Sequence, residues 1–386
     1  MYRIINKKKL YAIMAADFIG NIIFLPRLLK KREIIKPDEI REILVIRTAY
    51  IGDVIMTLTL LKSLKERFKV ARITFLTGTR AADVLLNNPY VDEIITYDPF
   101  WFYPSKKGDY TGFIRELKKK RFDLVIEARG DIRDILFLAW PLRARYRVSY
   151  GVGGGSFLLT HMVPHEKINH RVDYHLDIAR FLGCNVSGVE WGIYLADDEK
   201  ERVGKLLAGE GIDLGKPLVA IHPGSRKELK CWSPEGYAKT GDYLTEQGHT
   251  VLLMGAPDEV DLVNKVAGMM KKRPVVLAGK TSLRELAGII GRCSLFICND
   301  SSPMHIAAAM KVPTVAIFGP SKSVETRPYG KGHIVVEKDF PCRYSCDEDV
   351  CNFKNHNQCM KDISVKDVLL AVRKALNIGN SSEDKL

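Results

Sequence analysis

Short apolar runs alternate with longer stretches of helical spacing from about residue 42 onward. Residues 43–46, Ile-Leu-Val-Ile, make an unbroken apolar run the length of a buried strand. The chain then turns through Arg47-Thr48-Ala49-Tyr50 to Gly52-Asp53, and a helical pattern begins with Val54, Leu58 and Leu61 on one face. The same alternation predicts strands at 72–76, 93–97 and 123–126, with helices running to 68, around 80–87 and over 113–120. A second series predicts strands at 218–221, 250–254, 275–277, 294–298 and 314–318. Its helices fall at 234–247, 258–270, 282–291 and 304–310. Strand–helix alternation of this kind predicts parallel sheets with helices on both faces. The expected organisation is a basic N-terminal segment over 1–40, a Rossmann-like domain over 41–190 and a linker over 191–216 carrying one helix, 197–207. A second Rossmann-like domain over 217–363 and a closing segment over 364–386 follow. The closing helix, 364–376, is expected to return to the first domain, and a cleft between the domains is the expected location of a site.

The first forty residues differ from the rest. Lys7-Lys8-Lys9 precede a mostly apolar run over 10–29, and Lys30, Lys31 and Arg32 follow it. Asp17, Asn21 and Pro26 interrupt the run, which argues against a spanning helix, and no cleavage site marks a signal peptide. The pattern predicts an amphipathic helix lying in a membrane interface with its basic flanks on anionic headgroups. Packing onto the protein's own surface is the alternative. Both keep the chain in the cytoplasm, and the first makes it peripheral on the cytoplasmic face of the inner membrane.

A hydrophobic content of 46% with 27% charged residues is that of an ordinary globular chain, but the net charge of +13 asks for an anionic partner. No zinc-finger, RNP or basic-zipper signature is present, so nucleic acid is not expected. Eight cysteines in 386 residues do not make a disulfide scaffold. Four of them, Cys342, Cys346, Cys351 and Cys359, cluster as C-x3-C-x4-C-x7-C. This is not a standard zinc spacing, although four thiols in one short loop suffice for one structural zinc ion; a reduced, loop-packing role is the alternative.

Chemistry is expected at strand ends. Asp53 follows the first strand, where it serves either as a base or as a helix cap. Arg129, Arg133 and Arg143 cluster in sequence after the fourth strand and suit an anionic acceptor, or form a solvated face. In the second domain, His222-Pro223-Gly224-Ser225-Arg226 with Lys230 offers N–H groups, a hydroxyl and cations to a pyrophosphate. The turn carrying Asp258 suits a ribose diol, and Asp300-Ser301-Ser302 with His305 opens a helix whose N-terminus suits an anion. There is no Walker A lysine loop and no complete G-x-G-x-x-G. The only D-x-D spacing, Asp347-Glu348-Asp349, lies inside the cysteine-rich loop. Phosphate charge is therefore expected to be offset by Lys230, Arg226 and helix N-termini, with no cofactor required.

These motifs together, from ILVIRTAYIGDVIMTL through FDLVIEARGDIRD and HPGSRKELKCW to NDSSPMH, resemble the ADP-heptose:lipopolysaccharide heptosyltransferase family. The resemblance runs from about residue 42 to 375. It implies an α/β protein of GT-B architecture, two Rossmann-like domains facing across a cleft. The implied activity is inverting transfer of heptose from an ADP-sugar donor to an anionic lipid-linked oligosaccharide acceptor. The implied roles are Asp53 as general base, Lys230 at the donor phosphates, Asp300 on the donor sugar, Ser225, Ser301 and Ser302 at the phosphates, His305 nearby and Asp258 on the ribose. A same-fold transferase using another nucleotide sugar, or a non-catalytic binding protein, is the competing reading.

Overall fold

The computed structural model describes residues 7–28, 33–104, 108–165, 169–343, 346 and 348–378. The chain divides into two compact units, Met1–Trp191 and Gly192–Leu386. Each is built on one six-stranded sheet.

The first sheet contains β1 (Glu42–Arg47), β2 (Arg72–Thr77), β3 (Glu93–Thr96), β4 (Leu124–Glu127), β5 (Tyr146–Tyr150) and β6 (His161–Val163). Their spatial order is β3-β2-β1-β4-β5-β6, and every pairing is parallel. The second sheet contains β7 (Leu218–His222), β8 (Thr250–Leu253), β9 (Val275–Val276), β10 (Cys293–Asn299), β11 (Thr314–Phe318) and β12 (Ile334–Glu337). Taken from its far edge, the order β9-β8-β7-β10-β11-β12 repeats that of the first, again all parallel. Both sheets thus reverse direction between a first and a fourth strand, and ligands of doubly wound sheets bind at the carboxyl ends beside such a switch.

Burial on both faces explains why these strands read as apolar runs. Ile43, Leu44, Val45 and Ile46 are fully buried, as are Val219, Ala220 and Ile221. β5 escaped the sequence reading because Arg147 and Ser149 make YRVSY look polar. Both are buried and satisfied inside the fold: the Arg147 guanidinium donates to the carbonyls of Leu158 and Ala144, and the Ser149 hydroxyl to Glu127 Oε2 at 2.6 Å. β6 and β12 were also unforeseen. The closing helix, Val365–Ala375, buries Val368 and Val372 in the core of the second sheet. The linker helix, Asp197–Gly209, likewise belongs to the second unit, where the Arg284 guanidinium pairs with Glu199 and donates to the Tyr194 carbonyl at 2.7 Å.

The N-terminal helix, Lys7–Ile23, is apolar on two opposite faces, not on one as an amphipathic helix would be. One face carries Ile13, Asp17 and Gly20 against the loop after β5. There Asp17 Oδ1 accepts the Gly155 N–H at 2.7 Å, and Phe24 lies 5.5 Å from Phe157, ring to ring. Gly155 has φ +80, a conformation that strongly favours glycine. The opposite face exposes Tyr11, Met14, Phe18 and Ile22. Among the described residues, no helix is long and apolar enough to cross a membrane.

Candidate active site

At the switch point of the first sheet, β1 runs into a tight turn and the helix Ile51–Thr57. Tyr50, immediately before that helix, holds φ 60, a left-handed conformation costly for an aromatic residue and concentrated at functional sites. Asp53 is buried and gripped through both oxygens. Arg47 Nη2 lies 2.9 Å from Oδ2, and Arg171 Nη1 donates to Oδ1 at 3.0 Å. Arg47 is 4% exposed, and its Nε and Nη1 have no hydrogen-bond partner among the described residues. His175 donates to or accepts from Thr57 Oγ1 at 3.2 Å, and burial followed by the charge of Arg47 holds its pKa down at about 3. It is therefore a neutral wall beside the carboxylate. Asp53 lies in the first turn of the helix, with its oxygens on guanidinium groups.

β4 ends on Glu127, which sequence reasoning did not single out. Its carboxyl accepts the Gly130 N–H at 2.6 Å and the Arg129 N–H at 3.1 Å, besides the Ser149 hydroxyl. Glu127 thus shapes the turn that carries the arginines. Arg129 and Arg133 flank the Phe102 ring, their guanidinium carbons 4.5 and 4.4 Å from its centroid. Asp131 accepts from Arg133 Nη2 at 2.7 Å. The neighbouring loop closes in as well: Asp131 bridges to Gly153, where a Cβ would lie 2.2 Å from the Gly130 carbonyl oxygen, so only glycine fits. Arg143 is not part of this group. It precedes β5 and so sits exposed at the amino edge of the sheet, which corrects its expected place with the acceptor arginines. Arg145 beside it pairs with Glu33 and Glu39.

Burial first, then the charge of Asp134, raises the Glu127 carboxyl well above the ordinary range, and burial followed by Asp131 raises Asp134. The folded chain therefore holds protons that the unfolded chain would have released. This contribution to stability is complete below the unfolded values near 4 and is lost as the pH rises through the higher folded values. Denaturant midpoints should fall from pH 5 to pH 9, and Glu127→Gln should flatten that slope. A slope unchanged by the substitution would remove Glu127 as its source.

At the switch point of the second sheet, the loops after β7 and β10 are joined by Asn299. Its Oδ1 accepts the Trp232 N–H at 3.0 Å and the Tyr237 hydroxyl at 2.8 Å, while its Nδ2 donates to the Pro223 carbonyl at 2.7 Å. Lys230 Nζ lies 2.7 Å from Asp300 Oδ2 and 2.9 Å from Glu348. Burial lowers the Lys230 pKa, but the two carboxylates outweigh it and leave the ammonium above its usual value. The Ser225 hydroxyl donates to the Asp300 carbonyl at 3.3 Å. Ser301 and Ser302 open the helix Ser302–Ala309, in which His305 is buried. Lys230, Ser225, Asp300, Ser301 and Ser302 therefore gather at one edge, and Arg226 stands exposed beside them.

Asp258 is exposed in its short turn, whereas Glu259 reaches back to His222 Nε2 at 3.2 Å. Glu348, beside Lys230, is the acid that spacing alone did not reveal. Glu348 comes from the cysteine-rich loop, whose four thiols line one cavity in this unit.

The family model of glycosyltransferase family 9 (heptosyltransferase) matches residues 110–356. Lipopolysaccharide heptosyltransferase 3 of Escherichia coli K12 is 28% identical, over 87% of this chain and 98% of the relative. Among solved structures, a glycosyl transferase family 9 protein from Veillonella parvula aligns with a TM-score of 0.77 and 26% identity, covering 90% of this chain and 99% of that one. The E. coli ADP-heptose lps heptosyltransferase II aligns with a TM-score of 0.70 and 21% identity, covering 87% and 98%. The two parallel sheets are those of the GT-B architecture.

Proposed function

Because the chain belongs to glycosyltransferase family 9, we propose that it transfers heptose from ADP-heptose to a lipid-linked oligosaccharide acceptor of lipopolysaccharide core type. The observation that carries the donor half is the Lys230–Asp300 pair on two loops tied together by Asn299. Such an edge presents one cation, hydroxyls and a helix start to a diphosphate. Asp53 is the general base. It removes the proton of the acceptor hydroxyl as that oxygen bonds to the anomeric carbon. The carbon–oxygen bond to ADP breaks on the opposite face, and configuration inverts. The departing diphosphate carries the negative charge, which Lys230 and Arg226 offset; no bound cation or other cofactor is needed for this step. Arg129 and Arg133 face the anionic acceptor.

Calorimetric titration with ADP, ADP-heptose and a panel of UDP-sugars tests the donor. ADP and ADP-heptose should bind and the UDP-sugars should not. Preference for a UDP-sugar would overturn the donor, and binding of none would favour a protein without transferase activity.

The N-terminal helix has a place in the same reading. Tyr11, Met14, Phe18 and Ile22 lie at helical spacing on the face opposite Asp17, and Lys8 is exposed at its start. The helix would lie on an anionic bilayer, holding the enzyme on the cytoplasmic face of the inner membrane. Because Asp17 ties the helix to the fold, point substitutions test this better than deletion. Phe18→Glu with Ile22→Glu should abolish flotation with phosphatidylglycerol vesicles while leaving ADP binding unchanged. Undiminished flotation would rule the helix out as the anchor.

A further inference from the structure

The loop between β12 and the closing helix holds four reduced cysteines that neither sheet's chemistry uses. Cys342, Cys346, Cys351 and Cys359 all line a single cavity. Its wall is otherwise largely apolar, with Phe340 and Phe353 edge to face at 5.5 Å. Cys359 is buried, and Arg343 lines the same cavity. Arg343 is itself buried, donating to the carbonyls of Gly319 and Lys338 and pairing with Glu337 at 3.0 Å. A fixed cation therefore stands beside four thiols. Cysteines retained only for packing would have no need of one another, yet these four surround one space while Cys184, Cys293 and Cys298 are dispersed in the cores.

We propose that Cys342, Cys346, Cys351 and Cys359 are the four ligands of one structural divalent transition metal, zinc or iron. All-thiolate tetrahedral sites suit these two metals. Among the described residues, no three candidate ligands already stand at metal spacing. The four thiols ring the cavity and binding draws them in, each metal–sulfur bond forming as any proton on that sulfur passes to solvent. The resulting charge of minus two is offset in part by Arg343. The consequence for the donor edge follows from the position of Glu348, between Cys346 and Cys351, with its carboxylate 2.9 Å from Lys230 Nζ. The metal fixes the loop that places this acid. That consequence rests on the proposed donor site; the metal site does not.

The test is metal analysis of the full chain purified under reducing agent, followed by chelation and titration with Co2+. About one zinc or iron per chain is expected, and the analysis itself distinguishes the two. The stripped protein should develop thiolate-to-cobalt charge-transfer absorption saturating at one equivalent, and four thiols should become unreactive. Cys342→Ser with Cys359→Ser should lose both signals. Metal-free protein whose thiols stay fully reactive after Co2+ addition would overturn the proposal, and so would a disulfide among the four in the purified chain. The wild-type titration decides even where the double variant fails to fold. Loss of ADP binding with the metal retained would count against the donor reading alone.

Discussion

Asp53→Asn is expected to lose about 10²–10⁴ in turnover, the usual contribution of a positioned general base, while ADP affinity stays within a factor of two. The separation of the two effects is the point of the experiment. Asp53 belongs to the first unit, and Lys230 and its partners belong to the second. Asn is the substitution to choose. Its carbonyl oxygen still accepts from Arg171 or Arg47, whereas Ala would leave the buried Arg47 with neither counter-charge nor acceptor at this position, at a cost on the order of 3–5 kcal/mol. The expected signature is a fall in kcat with little change in donor KM. Unchanged turnover would remove Asp53 from the mechanism; an equal loss of ADP binding would make its role structural.

Lys230→Ala should weaken ADP binding by about 2–5 kcal/mol, the cost of truncating one member of a buried charge pair, or roughly 30-fold or more. In this protein the loss is compounded, because Asp300 and Glu348 both lose their shared cation and then confront the phosphates directly. Glu348→Gln should do the opposite and tighten ADP, since one competitor for the ammonium is neutralised. Titration calorimetry on the two variants reads both signs. Unaltered affinity in Lys230→Ala would place the diphosphate elsewhere.

Much of this was legible in the chain because fully buried parallel strands are written as plain apolar runs. LVAIH and TVAIF needed no context, and the candidates in the loops after β1, β7 and β10, namely Asp53, Lys230 and Asp300, followed from strand-end logic. The strand YRVSY was hidden by an arginine and a serine whose satisfaction is tertiary. That same misreading put Arg143 with the site, when it lies at the other end of the sheet. Arg171 is 118 positions from Asp53 and Lys230 is 70 from Asp300, so partners at such separations have no local signature. Glu127 alone left a trace, an acid closing the apolar run LVIE, where burial at every position gave it no exposed side to occupy. The thiols were countable in sequence, but only the fold brings them around one cavity.

The hydrogen bond between Asp17 and Gly155 joins the N-terminal helix to the loop after β5, and the bridge from Gly153 to Asp131 links that loop to the arginine turn. On the proposed reading, in which the helix lies on a membrane and Arg129 and Arg133 meet the acceptor, these arginines stand at a set height above that plane. A sugar chain rooted in that plane brings each successive hydroxyl farther from it. The enzyme would then act as a height gauge, choosing among growing chains by their length before any contact with an individual sugar distinguishes them.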